Sequence, residues 1–310
     1  MSTLTKPRVA ISVGDINGVG IEIALKAHKE ISKYVDPQYC INQQLLDQAT
    51  KLLDTTIPDD FILAQTEGTL EIEPGTVSER SGEFSYHSFL DAVSLAKEKK
   101  VDAIITLPIH KEAWSLAGIK YKGHTDMLRD IFQEDAIMML GCEKLYVALF
   151  TEHIPLQAVA SSLTHIKLTQ FLEDLYRAVG EQQIAVLGLN PHAGDNGVLG
   201  QEEEIIIDVI KDLNKAYGKE VFVGPVVPDI AFTPHFRSGY TYFVAMYHDQ
   251  GLGPLKALYF DESVNISLNL PIVRTSVDHG TAFDIAYTNQ AKTLSYINAV
   301  RAAVTLIKKN

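Results

Sequence analysis

Hydrophobic residues run almost without interruption through Arg8–Val13, Val101–Thr106, Ala136–Leu140, Leu145–Phe150, Ile184–Leu189 and Tyr242–Met246. Short, continuous runs rich in β-branched residues mark strands covered on both faces, so these segments are predicted as buried, largely parallel strands. Between them, apolar positions recur with helical spacing at Ile21–Ser32, Phe84–Lys99, Leu168–Val179, Glu202–Tyr217 and Leu294–Lys308, each stretch with one apolar face. Strands alternating with amphipathic helices define an α/β class of layered structure. The stretch from about Pro58 to Gly82 is rich in Thr, Glu and Gly and weakly periodic; it reads as a surface excursion or a short antiparallel flap.

At 310 residues the chain exceeds what one hydrophobic core usually organises, which predicts two lobes or one large α/β unit. Lys and Arg number 27 against 39 Asp and Glu, a formal charge of −12, which argues against a broad nucleic-acid or anionic-membrane surface. A small anion gripped by a few local basic residues stays open. Two cysteines, Cys40 and Cys142, make no disulfide framework and suit a reducing compartment. The opening residues carry no export signal and no apolar run reaches membrane-spanning length, so the expectation is a cytoplasmic protein with no membrane partner.

Candidate chemistry sits where strands end. The first strand runs into Gly14-Asp15-Ile16-Asn17-Gly18-Val19-Gly20, a strand-to-helix turn whose glycines allow close backbone approach and whose following helix start suits an anion. It is neither a dinucleotide fingerprint nor a Walker loop, and a plain tight turn is the competing reading. Asp15, at a strand's C-terminal end, is the stronger hint. Five of the ten histidines stand beside Gly, Pro or Asp in loop-like contexts: His124, His153, His192, His248 and His279. Of these, His153, His192 and His248 come just after predicted strands, a placement that brings them to one rim of a sheet. Three neutral imidazoles with open positions suit a catalytic divalent ion, weighed against three loop histidines satisfied by backbone. Lys256, Asn265 and Arg274 follow His248 after apolar stretches; in an acidic chain the two cations are candidates for holding phosphate or carboxylate, against ordinary surface charge. The acidic run Gln201–Glu204 complements the start of a helix and is given a structural role only.

Taken together, several motifs resemble the 4-hydroxythreonine-4-phosphate dehydrogenase (PdxA) family of pyridoxal phosphate synthesis. They are Gly123-His124-Thr125-Asp126, Thr151–Leu156, Leu189-Asn190-Pro191-His192-Ala193-Gly194, Ala245-Met246-Tyr247-His248-Asp249-Gln250-Gly251, Val264-Asn265-Ile266 and Arg274–Ala282, in order over most of the chain. In the glycine loop the family's Pro-Ala is replaced by Ile16-Asn17, and its later Pro by Ile21. The segment Asp278–Ala286 also looks like the adenosine-holding loop of isocitrate- and isopropylmalate-type dehydrogenases, an analogy at the level of fold.

The resemblance implies a two-lobed α/β/α fold with mostly parallel sheets, isocitrate/isopropylmalate dehydrogenase-like, with the active site in the cleft between lobes. Residues 1–120 with 270–310 are expected to form one lobe and residues 121–269 the other. His153, His192 and His248 are implied as ligands of one divalent ion, zinc first, with magnesium or cobalt as alternatives, and His248 offered to the neighbouring subunit of a homodimer with shared active sites. His124, Thr125, Lys256, Asn265 and Arg274 are implied to bind a small phosphorylated hydroxy-amino-acid substrate. His279, Gly280, Thr281, Ala282 and Asp284 are expected to hold NAD, with NADP disfavoured because no basic cluster accompanies the loop. Lys256, Asp249, Asp278 and Lys111 are unranked proton carriers. The implied reaction oxidises the C3 hydroxyl of 4-phosphooxy-L-threonine to a 3-keto acid that loses CO2. Alternatives are a D-threonate or D-erythronate 4-phosphate dehydrogenase of the same family, a zinc hydrolase using the same histidines, and a non-catalytic phosphoester-binding protein.

Overall fold

Val9, Ala10 and Ile11 have no exposed surface, as the continuous apolar run beginning the chain requires. They lie in the first of eleven strands in the computed structural model, which describes residues 6–308. Residues 1–5 and 309–310 of the expected first lobe lie outside the described residues. The strands are β1 (Arg8–Ser12), β2 (Asp36–Cys40), β3 (Ile62–Ala64), β4 (Ala103–Thr106), β5 (Ile137–Cys142), β6 (Leu145–Leu149), β7 (Ile184–Leu187), β8 (Phe222–Val226), β9 (Tyr242–Ala245), β10 (Val264–Leu268) and β11 (Val273–Val277). Among the described residues no helix is long and apolar enough to cross a membrane.

The chain divides into two compact units. The first takes the described residues up to 134, residues 264–266 and the residues from 270 onward; the second takes 135–263 and 267–269. The helix His124–Phe132 therefore belongs to the first unit, not to a second lobe beginning at 121. Its Met127 and Leu128 are buried with Phe89, Val93, Ile104 and Trp114 in that unit's core, and apolar burial at about 1.5–3 kcal/mol per large side chain decides where a short helix docks.

In the first unit the strand order is β3-β2-β1-β4-β11, all parallel. The segment Pro58–Gly82 holds no antiparallel flap among the described residues: Ile62–Ala64 pairs parallel with Gln38–Cys40, so the expected excursion instead extends the sheet edge. The next helix begins at Glu79 rather than Phe84, because Ser78 accepts the Ser81 N–H at 3.1 Å and caps it, a local bond that apolar spacing does not reveal. Helix Leu294–Ile307 packs on β11 and β4.

In the second unit β5 and β6 form an antiparallel hairpin, and β6, β9, β7 and β8 follow in parallel. Leu145, Val147, Leu187, Phe243 and Leu255 lie at the centre of this core. Both units are thus mixed α/β with mostly parallel sheets, as the patterning predicts.

The glycine loop is a buried turn. Gly14 has φ 72°, and a Cβ there would collide with the Pro108 carbonyl, so only glycine fits. Asn17 explains this loop's departure from the family pattern. Its Oδ1 accepts the Glu73 N–H (3.0 Å), its Nδ2 donates to the Thr76 carbonyl (2.8 Å) and its own carbonyl accepts the Gly75 N–H (2.9 Å). Alanine makes only the last of these. Tyr287 donates to the Ile16 carbonyl at 2.6 Å, closing the other side.

Asp15 is fully buried in this turn. Burial pushes its carboxyl from 3.8 up to about 6, although the Asn17 N–H, the Ser81 hydroxyl and nearby His110 pull the other way. A carboxyl with a raised folded value binds its proton more tightly when folded. Its contribution to stability is therefore fully present below the unfolded value and is lost as pH rises through about 6. We expect the wild type to lose about 2 kcal/mol relative to Asp15→Asn between about pH 4.5 and 7, read from urea unfolding of both proteins. A constant difference across that range would mean that Asp15 does not titrate there.

Candidate active site

Three strands of the second unit end in a set of buried hydrogen bonds centred on Met246. Its N–H donates to Gln250 Oε1 at 2.7 Å, and its carbonyl accepts both the Thr151 hydroxyl (2.6 Å) and the Thr151 N–H (3.2 Å). Gln250 Nε2 donates onward to the Gly188 carbonyl at 2.7 Å. The chain just past β6, β7 and β9 is thereby fixed, since polar groups this deep lose heavily when unpaired. His153, His192 and His248 follow within a few residues of Thr151, Gly188 and Met246. Spacing and composition do not mark Thr151 and Gln250; their signal in the sequence is their place inside the Thr151–Leu156 and Tyr247–Gly251 motifs.

His248 opens the helix His248–Tyr259, and His124 opens His124–Phe132, so two contexts read as loops are helix starts. His248 Nδ1 lies 2.7 Å from Asp249 Oδ1. With Nδ1–H donated to the carboxylate, Nε2 carries the lone pair, the arrangement that metal-binding imidazoles use. The rings of His153 and His248 are 5.5 Å apart, centre to centre. Two imidazoles on one tetrahedral zinc, each bound through nitrogen at roughly 2.1 Å, have ring centres roughly 5 Å apart. That spacing suits an ion held within one chain, whereas the expected sharing of His248 would set it beside His153 of the partner subunit. Among the described residues no three His, Cys, Asp or Glu side chains are grouped to hold an ion by themselves, so His192 is not brought into the pair within this chain.

His192 begins a run of left-handed backbone: φ is 53°, 51°, 77°, 44° and 55° from His192 to Asn196. Four of these five residues carry a Cβ, and each costs on the order of 1 kcal/mol in that conformation. Such a turn persists only where neighbours hold it.

The first unit gathers a different chemistry. Arg274, in β11, is 2% exposed. Its Nη2 donates to Thr106 Oγ1 at 2.7 Å and to His124 Nδ1 at 3.3 Å. Because a guanidinium only donates, Nδ1 is the acceptor and the neutral imidazole carries its proton on Nε2. Burial, and secondarily the Arg274 cation, hold His124 well below its usual range, so it stays neutral. Phe89 and Trp114 meet its ring edge to face, at 4.5 and 5.7 Å, and fix its direction. Its buried Nε2 has no hydrogen-bond partner among the described residues. Burial also brings Arg274 down to about 9. Thr125 is buried beside His124. Asn265, in β10, is half-buried, and its Oδ1 likewise has no partner among the described residues. Lys256 lies on the helix His248–Tyr259, half-buried, with Nζ 5.4 Å from the Phe260 ring centre.

Asp278–Ala286 follows β11 and packs on the glycine loop. The buried Thr281 accepts the Val19 N–H through its carbonyl at 3.0 Å, and a Cβ on Gly18 would lie 2.9 Å from that same oxygen. His279 Nδ1 donates to the Gly280 carbonyl at 2.9 Å, leaving a buried acceptor at Nε2 with no partner among the described residues. Ala282 is left-handed at φ 43°, Asp284 is exposed, and the Phe283 ring stacks on His110 at 4.8 Å. An orphaned imidazole nitrogen and a flat aromatic pair beside a glycine turn are compatible with a nucleotide. Asp278 is half-buried, its N–H donated to Ser295 Oγ at 3.1 Å, and Lys111 is exposed at the start of Lys111–Leu116.

A family model described as pyridoxal phosphate biosynthetic protein PdxA matches residues 30–303. A protein of Sulfurimonas denitrificans named 4-hydroxythreonine-4-phosphate dehydrogenase is 63% identical over 98% of this chain and 99% of its own length. One of the same name from Campylobacter fetus is 52% identical over 98% and 99%. The crystal structure of the Klebsiella pneumoniae 4-hydroxythreonine-4-phosphate dehydrogenase superposes with a TM-score of 0.82 at 33% identity, covering 99% of both chains. With likeness of this degree running from end to end, the chain belongs to the PdxA family and is an enzyme of the dehydrogenase class.

Proposed function

We propose that the chain oxidises 4-phosphooxy-L-threonine at its C3 hydroxyl with NAD and a divalent ion, zinc first, and that the resulting 3-keto acid loses CO2 to give 3-amino-2-oxopropyl phosphate. The observation that carries this reading is the Arg274–His124–Thr106 group: a buried cation next to a neutral imidazole whose Nε2–H has no acceptor among the described residues. Such a pair suits an anionic, oxygen-rich ligand, because a buried guanidinium recovers most when phosphate or carboxylate meets it.

When bound, the ion supplies a Lewis acid for the C3 hydroxyl and NAD supplies the hydride acceptor. The protein's part is to hold and aim. His153, His192 and His248 are assigned to the ion, with Asp249 fixing the His248 tautomer. Arg274 grips the phosphate or carboxylate, with Lys256 and Asn265, and His124 donates from Nε2 to a substrate oxygen beside Thr125. The loop from Asp278 takes the cofactor through His279, Gly280, Thr281, Ala282 and Asp284. Asp249 acts through His248, which leaves Asp278, or Lys256 in its neutral form in place of its anion-binding role, to receive the hydroxyl proton. The enzyme works as a homodimer in which His248 serves the neighbouring subunit.

Purified protein given NAD and 4-phosphooxy-L-threonine is expected to release CO2 in step with reduced NAD. Reduction without CO2 would sink the reaction as written, and faster turnover of D-threonate 4-phosphate would reassign the substrate. Each charge-assisted hydrogen bond to phosphate is worth about 1.5–3 kcal/mol. Dephosphorylated 4-hydroxythreonine should therefore lose kcat/KM by roughly a hundredfold or more. Arg274→Ala should harm the phosphorylated substrate far more than the dephosphorylated one; equal harm would place Arg274 on the carboxylate instead.

Chelation or any one of His153→Ala, His192→Ala and His248→Ala should abolish turnover and leave the fold intact by circular dichroism. Mixing the inactive His153→Ala and His248→Ala chains is expected to restore part of the activity, because one site of a mixed dimer regains every ligand. No recovery despite confirmed subunit exchange would assign His248 to its own chain, beside His153.

A further inference from the structure

We infer that Glu203 is a positioning residue for His192: a buried carboxylate that holds the left-handed turn in the one shape that presents this imidazole. The inference rests on the assignment of His192 to the divalent ion. Glu203 sits in the first turn of the helix Glu203–Tyr217, where an acidic residue ordinarily faces solvent and the positive end of the helix. Here it is 4% exposed and turned away from its own helix. Oε1 accepts the backbone N–H of Leu189 (2.8 Å) and of Asn190 (2.6 Å), and Oε2 accepts Asn190 Nδ2 (2.9 Å). Asn190 Nδ2 also donates to Glu202 Oε2 at 2.8 Å. The two residues immediately before Pro191-His192 are thus fixed by one carboxylate.

A second observation concerns the space around it. A Cβ on Gly194, inside the left-handed run, would stand 2.7 Å from Glu203 Oε2, and one on Gly188 would stand 3.3 Å from Oε1. A Cβ on Gly200 would collide with the Asn190 amide. Gly188 and Gly194 leave room for the carboxylate and Gly200 for the Asn190 amide bound to it, so the turn and Glu203 fit each other as a unit. The run that reads in sequence as a helix opening therefore also shapes the ligand loop, an outer contact of the kind that tunes metal affinity.

The test is zinc affinity of the metal-stripped full chain, measured by equilibrium dialysis with zinc alone, alongside circular dichroism and thermal unfolding. Glu203→Ala, folded, is expected to weaken zinc binding about 10–100-fold. Glu203→Gln keeps an acceptor for both backbone N–H groups and is expected to stay within a few-fold of wild type. Asn190→Ala leaves the two backbone bonds and is expected to weaken zinc several-fold; it decides the matter alone if Glu203→Ala does not fold. Zinc affinity within twofold of wild type in the folded Glu203→Ala and Asn190→Ala variants, even with a lowered Tm, would reduce Glu203 to a purely structural residue and overturn the inference. If His192→Ala itself keeps wild-type zinc affinity, the assignment of His192 fails first; if only His192→Ala weakens zinc, the assignment stands and the role of Glu203 falls.

Discussion

The second unit's chemistry depends on one backbone position. Met246 offers its N–H to Gln250 and its carbonyl to Thr151, and through Gln250 reaches Gly188. Parallel strands bring their C-terminal ends to one side but do not set the heights at which the following loops depart. Four buried hydrogen bonds do so here, and the histidines beyond them start from fixed points rather than from mobile loops.

The two units concentrate different capacities. The first keeps a deeply buried cation and a neutral imidazole whose tautomer follows from its partner, a combination for recognising an oxyanion and a hydroxyl together. The second keeps His153, His192 and His248 just past its strand ends, imidazoles of the kind that suit a borderline cation. Local cost accompanies both: a guanidinium out of water in one, and a left-handed turn of residues that resist that conformation in the other. Strain and desolvation gathered where binding is expected are what a preorganised site looks like, since the ligand then meets groups that need not rearrange.

How far this was legible in the sequence depended on whether a residue's job was packing or chemistry. The apolar runs at Arg8–Val13 and Ile184–Leu189 became strands within two residues of their expected ends, because continuous burial leaves a continuous trace. β11 did not show, since Val273-Arg274-Thr275-Ser276-Val277 is mostly polar; its polar side chains are buried nonetheless, bonded to Thr106, to the Ala299 carbonyl and to His124. β2 was hidden in the same way by Asp36, Pro37 and Gln38, and β8 by Gly224 and Pro225. The histidines were legible by place, at strand ends. What no spacing reveals is the direction of a side chain, so Glu203 read as a helix opening while its carboxylate faced the loop behind it, and Asn17 read as a departure from a pattern while supplying two bonds of its own.

The late position of β11 has a consequence for how the protein is made. Synthesis proceeds from the N-terminal side, and once residue 263 has been added every one of β5–β9 has been delivered, while the first unit still lacks β11 and the helix Leu294–Ile307 that packs on it. The second unit, an insertion in the chain of the first, has its strands in hand before its host is finished, and domains tend to fold as units as they emerge. Arg274 arrives last of the Thr106–His124–Arg274 group. A nascent chain therefore holds its imidazole-bearing strand ends well before it holds the buried guanidinium of Arg274.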